Sequence, residues 1–100
     1  MSAPADFVHE AEMGFSHGEF LRGLPSAVAP YCIEKESDAV YRLRHDARRV
    51  VVTLQPEARR ALGAIALPVT AVKLEFFGFS RERFESFLRR YRRHMQKGGG

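Results

Sequence analysis

Hydrophobic and polar residues alternate with period two along several stretches of this chain. Phe7, His9, Ala11, Met13 and Phe15 fall on one side of an extended segment, and Val8, Glu10, Glu12 and Gly14 on the other. This is the signature of a half-buried strand. Three shorter runs repeat it. In 31–36, Tyr31 and Ile33 oppose Cys32 and Glu34. In 40–44, Tyr41 and Leu43 oppose Arg42 and Arg44. In 49–54, Val50, Val52 and Leu54 form the apolar side. Ser37-Asp38 and His45-Asp46-Ala47 separate these runs with good turn chemistry, so they predict an antiparallel meander. After Pro68 the alternation returns in the last and longest strand, with Val72, Leu74 and Phe76 opposing Lys73, Glu75, Phe77 and Phe79.

Two stretches switch to helical spacing. Ser16-His17-Gly18-Glu19 has the S-x-x-E form of a capping box. A short helix should follow, with Phe20, Leu21 and Leu24 inward, weakened at Gly23 and stopped by Pro25. Near the end, Ser80 is an N-cap candidate. The apolar residues Phe84, Phe87, Leu88, Tyr91 and Met95 then make a narrow stripe at i, i+3, i+4, i+7 and i+11. Gly98-Gly99-Gly100 reads as a loose tail beyond that helix. Pro56 and Glu57 look like the first turn of a short helix ending at Gly63. The alternative for that segment is an irregular crossover that packs Leu62 and Ile65 under the sheet.

The predicted order is β-α-β-β-β-β-α. It describes a two-layer α+β domain over residues 1–97, with an antiparallel sheet of about five strands and two main helices on one face. This order resembles the TATA-binding-protein-like and helix-grip folds. The likeness lies in element order and covers most of the chain. The ending, from Leu67-Pro68 through Phe77-Gly78-Phe79-Ser80 to the final glycines, resembles the tails of small uncharacterised bacterial proteins. The helix-grip likeness implies a small apolar-ligand carrier, with a pocket between the closing helix and the sheet.

Composition narrows the function classes. The chain has 100 residues, enough for one modest core. No apolar run approaches the roughly 20 residues of a bilayer span, and the first residues lack the basic and apolar regions of a signal peptide. The single cysteine, Cys32, allows no intrachain disulfide and fits a cytoplasmic protein. The formal charge of +4 hides a polarity. Residues 1–38 carry a net −5, and residues 39–100 a net +9. No phosphate-binding glycine loop, C-x-x-C pair or spaced triad is present, so no catalytic residue or cofactor is predicted, and the expectation is a non-enzymatic domain. His9, Glu10, Glu12 and His17 are potential metal ligands by type. In a strand, however, His9 points away from Glu10 and Glu12, so no metal site is expected.

Two surfaces remain as candidates. Val51, Phe77 and Phe79 share the predicted solvent face of the sheet, an apolar patch among charges suited to a protein partner or a homodimer. The alternative is that the crossover near Leu62–Leu67 or a neighbouring loop covers them. Arg89, Arg90, Arg92, Arg93 and Lys97 crowd the end of the closing helix. They would suit an anion or RNA, or they would be an ordinary solvated face. The mixed charges of the solvent sheet face are not a phosphate-binding surface, so the likeness to the TATA-binding protein does not carry DNA binding with it. The helix's apolar stripe is used up if it packs on the sheet, and that argues against a membrane partner.

Overall fold

The computed structural model describes residues 3–99, with side chains through Met95. The elements run β1 (Phe7–Met13), α1 (His17–Val28), β2 (Cys32–Lys35), β3 (Val40–His45), β4 (Arg48–Leu54), β5 (Ala58–Leu62), β6 (Ile65–Phe77) and α2 (Arg81–Gly99). All strand pairings are antiparallel, in the order β1-β6-β4-β3-β2, and β5 pairs with β6 off that path. The α+β class is as the pattern indicates, with six strands.

Register explains the core. Phe7, Phe76, Val50, Leu43 and Ile33 form one row across the sheet, and His9, Leu74, Val52 and Tyr41 the next. These rows face both helices. Phe20, Leu24, Ala27 and Val28 of α1 and Leu88, Tyr91 and Met95 of α2 close the core over them. The closing stripe predicted on α2 is therefore the buried one. Phe76 sits at the centre of an aromatic cluster, edge-on to Phe84 (4.8 Å), Phe79 (5.0 Å) and Phe87 (5.2 Å). Such edge-to-face contacts suit the ring quadrupoles.

Both helix starts follow their caps. The Ser16 hydroxyl accepts from Glu19 N–H (3.1 Å), and the Glu19 carboxylate accepts from Ser16 N–H (2.9 Å). The Ser80 hydroxyl accepts from Arg83 N–H (3.2 Å). Three expectations need correction. Pro25 lies inside α1 and does not stop it. An internal proline costs about 3 kcal/mol or more. Burying Leu24, Ala27 and Val28 offsets that cost, since a fully buried Leu or Val side chain contributes about 1.5–3 kcal/mol. Second, helical backbone continues through Gly98 and Gly99, where the pattern placed a tail, while Gly100 lies outside the described residues.

The third correction concerns 56–67, which is neither helix nor buried crossover. Ala58–Leu62 pairs with the start of β6 in a hairpin closed by Gly63-Ala64, with Gly63 at φ +63°. Leu62 and Ile65 face each other across the turn and are 57% and 62% exposed, so they do not pack under the sheet. The hairpin extends past the last pairings of β6 with β1 and β4, at Thr70 and Val72 respectively. Pro68 is tolerated within β6 because its strand has only one neighbour there, so no second ladder loses a donor.

Candidate functional site

The outer face of the sheet follows from the same register. Phe77, Arg49, Arg44 and Cys32 form one row. Val8, Glu75, Val51, Arg42 and Glu34 form the next, and then come Glu10, Lys73 and Thr53. Charges of both signs interleave. Arg42 bonds Glu36, Arg44 lies 3.4 Å from Glu34, Lys73 lies 3.9 Å from Glu75, and Arg60 meets Glu12 at 2.7 Å. The arginine Arg49 stands over the Phe77 ring, 4.5 Å from its centroid, a favourable cation–π placement.

Of the predicted patch, Val51 and Phe77 lie on this face, both half-buried. Phe79 does not. Gly78, at φ +80°, takes the chain out of the strand, and the Asp6 carboxylate accepts from both Gly78 N–H (2.7 Å) and Phe79 N–H (3.3 Å). The alternation breaks there and Phe79 turns into the core, 7% exposed, against Phe76 and Phe87. The patch is further narrowed by the N-terminal segment. Ala3, Pro4 and Ala5 line a shallow cavity of about 400 Å³ together with Val51, Phe77, Glu75 and Arg42.

The larger apolar surface lies on the β5–β6 hairpin, which the sequence reasoning missed. Side chains opposed across an antiparallel pair share a face. Leu62 with Ile65, and Arg60 with Leu67, therefore stand on one side. By strand parity that side continues the outer face, because Ile65 and Leu67 share the phase of Lys73 and Glu75 along β6. The Arg60–Glu12 ion pair ties it to β1. Leu62, Ile65 and Leu67 (43% exposed) thus form an apolar end on an otherwise charged face. The signal was slight: Gly63-Ala64 puts glycine at the first position of a two-residue hairpin turn, but the flanking runs 58–62 and 65–69 do not alternate.

The arginines of α2 are exposed but do not form one track. Arg89, Arg92 and Arg93 line a shallow depression with Phe84, Glu85 and Leu88. Arg90 lies on the other edge of the helix, with Arg83 and Ser86. The Lys97 side chain lies outside the described residues.

Titratable groups have ordinary structural roles. His9 is half-buried beside Tyr91, edge-on at 6.5 Å. Burial first, and the Arg92 charge second, hold its pKa below the usual imidazole value. Burial pushes the Tyr91 phenol up, and its hydroxyl donates to the Met13 sulfur at 3.2 Å. His17 Nε2 lies 2.7 Å from the Gln55 carbonyl oxygen. Among the described residues, no group of three or more His, Cys, Asp or Glu could hold a metal ion, and Cys32 is exposed. Among the described residues, no helix is long and apolar enough to cross a membrane. The space between α2 and the sheet, where a carrier's pocket would lie, is occupied by Phe84, Phe87, Leu88, Tyr91 and Met95. No family model, curated protein or solved structure matches the chain.

Proposed function

We propose that this chain is a non-enzymatic binding module that works as a homodimer, joined through the outer sheet face and its β5–β6 hairpin. The observation that carries this reading is the exposed apolar end formed by Leu62, Ile65 and Leu67. A two-stranded hairpin standing alone in water is marginally stable, and here its one apolar side faces solvent. A second copy is the occupant that fits the charges. The outer face interleaves acids and bases, with Glu10, Glu12, Glu34 and Glu75 among Arg42, Arg44, Arg49 and Lys73. A two-fold axis lays such a lattice against itself with acids opposite bases. Val51 and Phe77 add apolar contact within it. The closed dimer would bury the hairpin's Leu and Ile side chains, which single-chain packing leaves out.

The test is the solution mass of Ile65→Asp and Leu67→Asp beside the unaltered chain, by light scattering at low and high salt. Both substitutions lie on exposed positions, so the fold should survive them. The reading expects a dimer in the unaltered chain and a monomer in both variants. A dimer that survives both substitutions overturns it, as does a heterogeneous aggregate in the unaltered chain.

A second reading has its own support. Arg89, Arg92 and Arg93 have no hydrogen-bond or ion-pair partner among the described residues. Free guanidinium groups on one helix edge suit a polyanion such as RNA, with affinity falling steeply as salt rises. Replacing all three by glutamine should then abolish binding to a single-stranded RNA. Unchanged binding removes this reading and leaves the dimer reading untouched.

A further inference from the structure

At the end of the sheet away from the hairpin, a cavity of about 190 Å³ opens between the last residues of α1, the start of β4 and the first half of α2. Three arginines line it, Arg48 from β4 and Arg83 and Arg90 from α2, with Ser86, Tyr31 and Phe87 between them. No carboxylate is among its lining residues.

We propose that this cavity binds a phosphomonoester group, held by Arg48, Arg83 and Arg90 with its organic part against Phe87 and Tyr31. The Arg48 side chain is only 17% exposed. Its Nε donates to the Tyr31 hydroxyl at 2.9 Å, and its one nearby carboxylate, Asp46, stands at 4.0 Å from Nη2. A largely enclosed guanidinium whose carboxylate partner is this distant would gain from a closer anion. Arg83 and Arg90 stand seven residues apart on α2, two helical turns, on the edge that also presents Ser86. Neither guanidinium has a hydrogen-bond or ion-pair partner among the described residues. Three like charges around one concavity repel each other until an anion enters. A guanidinium fork matches phosphate oxygens two at a time, and a phosphomonoester carries enough charge and oxygens for several forks. The cavity is smaller than the roughly 300–1,000 Å³ of drug-sized sites. It therefore suits one phosphoryl group with a small attached moiety rather than a whole dinucleotide. Tyr31 and Phe87, edge-to-face at 5.4 Å, supply an apolar wall for that moiety.

The competing account is purely structural. The C-terminus of α1 has no basic residue in its last turn, and the negative end of a helix dipole favours nearby cations. On that account the arginines serve α1 and bind nothing.

Calorimetric titration of the full chain separates the two. The probes are phenyl phosphate, inorganic phosphate and benzoate. Saturable one-to-one binding is expected for phenyl phosphate, weaker binding for inorganic phosphate, and none for benzoate. Equal affinity for the two phosphates would assign the site to free phosphate and overturn the role of the aromatic wall. Arg83→Gln and Arg90→Gln change exposed residues and should each weaken phenyl phosphate about tenfold or more, the loss of a charge-assisted hydrogen bond. Arg89→Gln with Arg93→Gln, on the other edge of α2, should leave it unchanged. An equal loss from both pairs would mean diffuse charge attraction and overturn the site. Absence of saturable binding by any probe, with Arg83→Gln and Arg90→Gln lowering only the melting temperature, would establish the helix-dipole account instead.

Discussion

Gly78 is the residue on which the end of β6 turns, and replacing it with alanine tests why Phe79 is in the core. Two costs combine. The backbone there sits at φ +80°, where an L side chain costs about 1–2 kcal/mol. A Cβ added at Gly78 would also stand 2.7 Å from the Ala47 carbonyl oxygen, with the Arg48 Cα at 3.6 Å. That oxygen belongs to the β3–β4 turn, so relief requires moving backbone and not the end of a flexible side chain. Gly63 is the internal control. It has nearly the same kind of dihedral, φ +63°, but open space around its Cβ position. Gly63→Ala should therefore cost only the backbone part, about 1 kcal/mol. Gly78→Ala should cost that plus the collision, about 2–4 kcal/mol in all. In a domain of this size each kcal/mol moves the midpoint about 4–8 °C, so the two variants should melt about 5 °C or more apart. Thermal unfolding followed by circular dichroism measures both. Equal losses would refute the close approach of Gly78 to the β3–β4 turn. A stable Gly78→Ala would further imply that Phe79 need not turn inward.

Two more perturbations probe the packing. The pKa of His9 is lowered in the folded chain, so the unfolded state binds more protons in that range. Stability should be full above about pH 6.5, the unfolded value, and should fall as pH drops below it through the folded value. His9→Gln should flatten that part of a pH series of denaturant midpoints, and an unchanged slope would contradict the burial beside Tyr91 and Arg92. Ser16→Ala removes the acceptor for Glu19 N–H and should cost about 1 kcal/mol. The cap also lowers the Glu19 pKa, chiefly through the Ser16 backbone N–H. Its contribution is therefore present above the ordinary glutamate value and lost as pH falls through the lower folded one. A Glu19→Gln chain that keeps the same acid sensitivity would argue against it.

Much of this architecture was legible in the sequence because burial and local chemistry point the same way. The alternation in β3 and β4 names Tyr41, Leu43, Val50, Val52 and Leu54, and all are buried. The S-x-x-E pattern names a cap that forms. The misreadings arise where one residue overrules the pattern around it. Period two continues past Phe77 in the letters, but the positive φ of Gly78 ends it and sends Phe79 to the other side. Pro25 reads as a stop until the burial of Ala27 and Val28 beyond it is known. Segment 58–62 reads poorly as a strand because it has no buried face, and all five of its residues are exposed. Pro56-Glu57 supplied a helix-like start that nothing downstream supports. The arginine cavity was invisible for a different reason. Arg48 is distant in sequence from Arg83 and Arg90, and only the packing of β4 and α2 against the end of α1 brings them to one concavity.

The claim that joins these observations to function is that the exposed side of the hairpin, with the outer sheet face, meets a second copy of the chain. Sedimentation of the unaltered chain over a concentration series, at low and at high salt, addresses it most directly. The account predicts twice the chain mass with dissociation on dilution, and a dimer that persists in high salt because Leu62, Ile65 and Leu67 supply apolar contact. A single chain mass at every concentration and both salts would contradict it.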